Sequence, residues 1–419
     1  MKKNYPFGLP CLVGISILTT LTFSCKKDHP ATIPVLTTSA ITNITDSTAS
    51  SGGNITSDGG SAIGGRGVNW DTSAAFINPA ETSDGTTSGS FSSSMTGLYP
   101  ATAYYVRAYA INTVGTGYGN VVKFTTGYIP SKFTVTTFAG SGAAGSTDAN
   151  GVNASFSQPD GVCVDPSGNI IVADGPKKIR KITPGGTVTT LAVTDGSPFD
   201  VAADAAGNIY VSESSFKILK ITPAGAVSVF AGSGTQANVD GTGTAASFYG
   251  PTTLAIDSYG NLFVGDRTAV RKITPSGVVT TLPNNLSVNT AVAVDKFNNL
   301  YISDGFVIKE IDTLGVPRFI AGGQGSADGF GATAGFNQII ELKTDQAGNI
   351  YAADVSNYKI RMITQAGFVT TFAGTGLPGA ADGNAAAATF DIPESLAIDA
   401  AGNIYVADAV NNKIRKIAQ

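Results

Sequence analysis

The chain has 419 residues, 13% charged and 42% hydrophobic, which is too long for one ordinary core and too apolar for disorder, so at least two folded domains are expected. The net charge of −4, made more negative if Lys2 and Lys3 leave with a leader, argues against nucleic acid as a partner. Gly at 51 positions, only 3 Met and no long helical period point to many short strands joined by tight turns.

Lys2 and Lys3 precede an apolar run from about Leu9 to Phe23, the size of a signal-peptide core and too short for a membrane span. The run ends in Ser24-Cys25 followed by Lys26, Lys27 and Asp28, which resembles the lipobox of bacterial lipoproteins, with Phe23 bulkier than the usual pattern. Its Ser-Cys ending followed by charges resembles the Bacteroidetes type. That resemblance implies a leader over residues 1–24, a lipidated Cys25 and linker over 25–33, and an outer-membrane lipoprotein on the cell surface or periplasmic face. Two or more acyl chains suffice for stable anchoring. Cys11 leaves with the leader, so Cys163 stays alone in an apolar strand, and the only histidine, His29, lies in the linker. Cys163 reads as a small core residue rather than a nucleophile.

Residues 34–127 carry short alternating runs at Thr48–Ile55, Gly65–Trp70, Gly89–Met95 and Tyr104–Ile111, the pattern of a β-sandwich. The stretch from Leu98 to Gly119, LYPATAYYVRAYAINTVGTGYG, resembles the second half of fibronectin type III domains, with Tyr104 at the tyrosine-corner position. Trp70 reads as a core residue, and the domain as a spacer without catalytic character.

From residue 132 to 419 one grammar recurs six times, at about 48 residues per copy, the period of a four-stranded propeller blade. Each copy opens on an Asp (Asp165, Asp204, Asp257, Asp295, Asp345, Asp399), turns at a Gly or at Asn298, and reaches a second acid nine residues after the first. The turn position requires positive φ, and the opening Asp is expected to accept backbone amides there. The copy at Leu396–Ile417 lacks a fourth strand, and FTVTTFAG at Phe133–Gly140 duplicates the missing pattern, so strand 133–140 is expected to close the ring. The expected fold is therefore all-β, a sandwich followed by a six-bladed propeller.

The repeated string PxGVxVDxxGNIYVADxxNxKIRKIT resembles NHL repeats over roughly the last two thirds of the chain. Leu219 and Lys309 stand where other copies have Arg180, Arg271, Arg361 and Arg415, and Glu213 replaces Asp in the second copy. Four inter-blade loops are long and run to Phe156, Phe248, Phe336 and Phe390, each with an Asp eight residues earlier; two are short. These loops share one face, the expected working surface.

The candidate binding residues are the second acids, Asp174, Glu213, Asp266, Asp304, Asp354 and Asp408, one per copy. A ring of carboxylates suits Ca²⁺ or a cationic ligand, though each acid also has a structural use as a strand cap or a partner for the basic residue that follows. No firm metal site, required cofactor or catalytic residue emerges. A histidine-rich zinc site like that of peptidylglycine amidating lyase, which shares the NHL architecture, and a Ser-His-Asp site both lack their histidines. Two readings remain: a monomeric lipoprotein presenting its propeller as a platform for a protein or carbohydrate ligand, and a calcium-dependent hydrolase or lyase of the lactonase-like propeller kind.

Overall fold

The computed structural model describes residues 30–99, 102–127, 132–283, 291–312 and 316–419. The leader, Cys11, Cys25 and His29 lie outside the described residues, as does most of the second short inter-blade loop. No described helix is long and apolar enough to cross a membrane. The chain divides into two compact units, one built from 30–43, 50–95 and 104–124, the other mainly from Thr125 to Gln419.

The first unit contains two antiparallel sheets. One pairs Val35–Thr38, Ala49–Ser57 and Gly89–Met95; the other orders Ala80–Glu81, Gly65–Asp71, Ala103–Ile111 and Thr116–Tyr118, with Val122–Thr125 joined to Ala103–Ile111. Alternation explains the core: Leu36, Ile55, Ala108 and Ala110 turn inward and pack with Ile63 and Phe91. Tyr104 is buried and stacks on Phe124 at 5.7 Å. Trp70 is only partly buried, which corrects its reading as a core residue: its strand pairs with Ala80 on one side and Val106 on the other, but the Ala80–Glu81 strand is only two residues long and leaves the ring partly open.

In the second unit, six antiparallel sheets follow one another. Their first strands, Pro159–Val164, Pro198–Ala203, Pro251–Ile256, Ala291–Val294, Ile339–Thr344 and Pro393–Ile398, neighbour each other in sequence, and the last neighbours the first. The ring thus closes through blade contacts rather than through one continuous sheet, the architecture of a β-propeller. Six apolar clusters lie one between each pair of adjacent blades. Thr134–Ala139 supplies the outer strand of the sixth blade by pairing antiparallel with Lys413–Ala418.

The hairpin turns form for the reason their sequence suggests. Gly168, Gly207, Gly260, Gly348 and Gly402 have φ between 78° and 86°, and Asn298 takes the same conformation at 67°. In each copy the opening Asp accepts two backbone N–H groups with Oδ1, and its Oδ2 accepts the side-chain amide of the Asn four residues on at 2.7 to 2.9 Å. Six local networks of this kind fix the inner hairpins without any ligand.

Candidate functional site

The second acids end the second strand of five blades, and in blade 4 Asp304 directly follows the strand Leu300–Ser303. Asp174, Glu213, Asp266, Asp354 and Asp408 are fully buried, whereas the side chain of Asp304 is 38% exposed. In four blades an arginine one strand further out reaches the acid: Arg180 to Asp174 at 2.7 Å, Arg271 to Asp266 at 3.1 Å, Arg361 to Asp354 at 2.7 Å and Arg415 to Asp408 at 2.7 Å. The other guanidinium nitrogen takes the loop acid, Asp148, Asp240, Asp328 or Asp382, at 2.6 to 2.9 Å. Each guanidinium also lies 5.0 to 5.4 Å from the buried ring of Phe156, Phe248, Phe336 or Phe390. Arginine, two aspartates and phenylalanine thus form one clasp that ties a long loop to its own blade.

The clasp occupies these carboxylates. Asp174 also accepts the Ser157 N–H at 2.6 Å, Asp266 that of Gly250 at 2.6 Å, Asp354 that of Asn337 at 2.8 Å and Asp408 that of Asp391 at 2.8 Å. Burial raises the carboxyls of Asp174, Asp266 and Asp408, against the pull of the hydrogen bonds and the guanidinium. Burial also works to raise Asp148 and Asp240, but the neighbouring Thr190 or Thr281 and the arginine bring them below the ordinary range. Where the arginine is absent, Glu213 accepts the Gly196 N–H at 3.0 Å and the Ser215 hydroxyl, and Asp304 pairs with Lys309 at 3.4 Å. These six acids stay in six separate blades and do not meet.

Another group converges, and it consists of residues that break the repeat. Asp160 and Asp200 come from the first strands of blades 1 and 2, Glu341 and Lys343 from blade 5, and Glu394 from blade 6. The four carboxyls line one cavity of about 200 Å³ together with Phe199, Thr253 and Ser395. Asp160 and Glu394 also border a groove of about 480 Å³ on the face of the inter-blade loops. A further cavity of about 440 Å³ is lined by Lys343, Cys163 and small apolar side chains of the inner strands.

Two of the carboxyls are held by the scaffold. Asp200 Oδ2 accepts the Leu254 N–H of the next blade at 2.7 Å, and its Oδ1 accepts the Val201 N–H at 2.8 Å. Glu341 Oε1 accepts Lys343 Nζ at 2.6 Å, and its Oε2 lies 3.5 Å from Ser395 Oγ. Asp160 and Glu394 have no side-chain hydrogen bond or ion pair with a described residue, so their oxygens face the cavity free. Burial, then Glu394, Asp200 and Glu341, push Asp160 well above the carboxylate range; burial raises Glu394 and Asp200. Burial and the charge of Asp200 move Glu341 to about 8. Burial alone would lower the Lys343 ammonium, but Glu341 and Asp200 hold it charged. Burial likewise keeps Cys163 a protonated, inert thiol.

The cavity therefore holds four carboxyls that burial raises, of which Glu341 keeps its proton near neutrality while bonded to the Lys343 ammonium. It offers donors and acceptors at once, which suits hydroxyl-bearing or amine-bearing groups. A carboxyl protonated at neutral pH is also what a general acid requires. Among the described residues, no group of three or more His, Cys, Asp or Glu is placed to hold a metal ion. Asp160, Asp200, Glu341 and Glu394 are not among the candidate residues that the recurring pattern picks out. The signal lay in non-recurrence: Lys343 stands where the other copies have Cys163, Ala202, Ala255, Ala293 and Ala397.

Fold and cavity define an all-β propeller protein with a polar axial site. Residues 102–218 match the model of the family described as alkaline phosphatase PhoX. Protein SUPPRESSOR OF QUENCHING 1, chloroplastic, of Arabidopsis thaliana is 34% identical over 114 residues, 25% of this chain and 11% of that protein. The chain thus spans about a tenth of that relative's length. A protein of unknown function from Bacteroides thetaiotaomicron superposes with a TM-score of 0.58 at 18% identity, over 93% of this chain and 99% of that one. An auxiliary nutrient binding protein from the same species gives 0.57 at 17% identity, over 91% and 97%. Another from Bacteroides ovatus gives 0.56 at 18%, over 93% and 99%. At these identities the solved structures are similar in fold.

Proposed function

We propose that this is a cell-envelope lipoprotein, anchored through Cys25, in which a fibronectin type III-like spacer presents a six-bladed NHL-type propeller as a binding platform for a carbohydrate or protein ligand. The observation that carries this reading is the free pair Asp160 and Glu394 at the junction of the axial cavity and the loop-face groove. Polar groups that neither recur with the fold nor pair with it are the ones left for a ligand. Phe199 in the same wall offers a face for stacking against a sugar ring or side chain. The fold shared with two auxiliary nutrient binding proteins points in the same direction. Four of the second acids, Asp174, Asp266, Asp354 and Asp408, serve as blade clamps in this reading.

The test is a glycan array and a pull-down with residues 26–419, repeated with Asp160→Asn combined with Glu394→Gln. Binding weakened by about ten-fold or more, roughly 1.4 kcal/mol, supports the axial site, and unchanged binding refutes it. The second reading, a calcium-dependent hydrolase or lyase, draws on the raised carboxyl of Glu341 as a proton donor. Silence in both binding assays together with Ca²⁺-dependent turnover of lactones would favour it. Anchoring is tested separately by Cys25→Ser, which should release the protein from membranes.

A further inference from the structure

Among the described residues, blades 1, 3, 5 and 6 cover the outer edge of their own outer strand. Gly241–Thr242 pairs with Val278–Thr281, Gly329–Phe330 with Phe368–Ala373, and Gly383–Asn384 with Thr134–Ala139; in blade 1, Val188 N donates to Ala149 O at 2.8 Å. The covering segment follows the clasp aspartate, which also accepts from a threonine of the edge: Thr190 N at 3.0 Å, Thr281 Oγ1 at 2.8 Å, Thr371 Oγ1 at 2.9 Å and Thr137 N at 3.0 Å. Under the cover, one valine per blade is sealed, Val188 and Val279 at 1% exposure and Val369 and Val135 at 0%.

Blade 2 has the same outer strand without the cover. Val227 holds the register of those four valines, opposite Ile221, yet is 42% exposed. Every other part of the cover is missing with it: the preceding loop is short, Leu219 replaces the arginine, and Val229, 41% exposed, replaces the threonine opposite it. Among the described residues, nothing pairs with the outer side of Val227–Ala231. Among the described residues blade 4 also shows no cover, but Pro317, which has no N–H, stands at the matching register beside the charged Arg318. Such residues are how natural edges are blunted against pairing. The edge of blade 2 has neither.

We infer that the outer strand of blade 2, Val227–Ala231, is a docking edge for an extended segment of another polypeptide, which adds to the sheet as a fifth strand. The four covered blades specify the chemistry of that segment. It lies antiparallel, as Gly241–Thr242 does on blade 3, and presents an apolar residue where the covers present aspartate, because Leu219 and Val229 offer nothing to a carboxylate. This surface is separate from the axial cavity, so the two assignments stand or fall independently.

The probe is a peptide copying residues 237–245 with the substitution Asp240→Leu, added to residues 26–419, with amide hydrogen exchange and fluorescence anisotropy as readouts. Protection of the amides of 227–231, and binding weakened about ten-fold by Val227→Lys with Val229→Lys, are expected, with the melting temperature of the variant unchanged. The peptide retaining Asp240 should bind several-fold more weakly, since its carboxylate is desolvated without a partner. The inference fails if neither peptide protects the strand, if both bind alike, or if the lysine variant binds like the parent. It also fails if sedimentation reveals a dimer that the lysine variant dissolves, because the occupant is then a second copy of this chain. The Asp160 and Glu394 variants serve as the control and should leave peptide binding intact.

Discussion

Thr137 and Asp382 are 245 residues apart in the chain and hydrogen bonded, Thr137 N to Asp382 Oδ2 at 3.0 Å. The same carboxylate takes Arg415 Nη2 at 2.6 Å, so one side chain joins the first strand of the propeller, the last strand and the loop before blade 6. Asp382→Ala removes all of these bonds together. A loss of about 1–3 kcal/mol is expected in urea denaturation, because buried Arg415 keeps Asp408 as its remaining anionic partner.

The clasps separate a buried ion pair from an exposed one. Arg361→Leu leaves Asp354 at 0% exposure without its cation, for which a loss of about 3–5 kcal/mol is expected. Lys309→Leu removes a pair whose side chains are both 38% exposed, and should cost about 1 kcal/mol or less. Chemical denaturation of both variants beside the parent would refute this ranking if Lys309→Leu proved the more damaging.

The axial cavity gives stability a pH dependence of definite sign. Glu341 titrates at about 8 in the folded protein against 4.5 ordinarily, so between those values the folded state keeps a proton that the unfolded chain has released. Stability must then fall as pH rises through that window. Urea midpoints at pH 5, 7 and 8.5 should decline for the parent and decline less for Glu341→Gln; parallel curves would contradict the assignment.

Gly402 isolates backbone strain from packing, since its φ is 82° and a Cβ built there meets nothing within 4 Å. Gly402→Ala should cost about 1–2 kcal/mol, the penalty of the left-handed conformation. Gly402→Asn should recover most of it, as Asn298 already illustrates in blade 4. Thermal unfolding of the pair would decide the point: equal losses would show that the space around the turn, not its φ, matters.

What could be read from the chain was whatever is settled locally and repeated. The hairpin built on Asp399, Gly402 and Asn403 depends on five consecutive residues, and six copies disclose it. The clasp was half visible: its aspartates, phenylalanines and arginines recur, but the interval from Asp266 to Arg271 differs from that between Asp354 and Arg361 because the intervening hairpins differ in length. Which cation meets which acid is fixed by cross-strand register. The axial group is hard to read because Asp160 and Glu394 share one repeat position, and Asp200 and Glu341 the next, that the other copies fill with uncharged residues; only the curvature of the ring brings the four blades to one cavity.

The pairing of Thr134–Ala139 with Lys413–Ala418 also sets an order of assembly. As the chain is made from its N-terminus, the strand at Thr134 has no sheet to join until residues near Ala418 have emerged. Five blades can form while the sixth lacks its outer strand, and the annulus locks only afterwards. A chain stalled short of Lys413 would carry an unpaired β-strand at one end and an open blade at the other, two exposed edges able to pair with other chains.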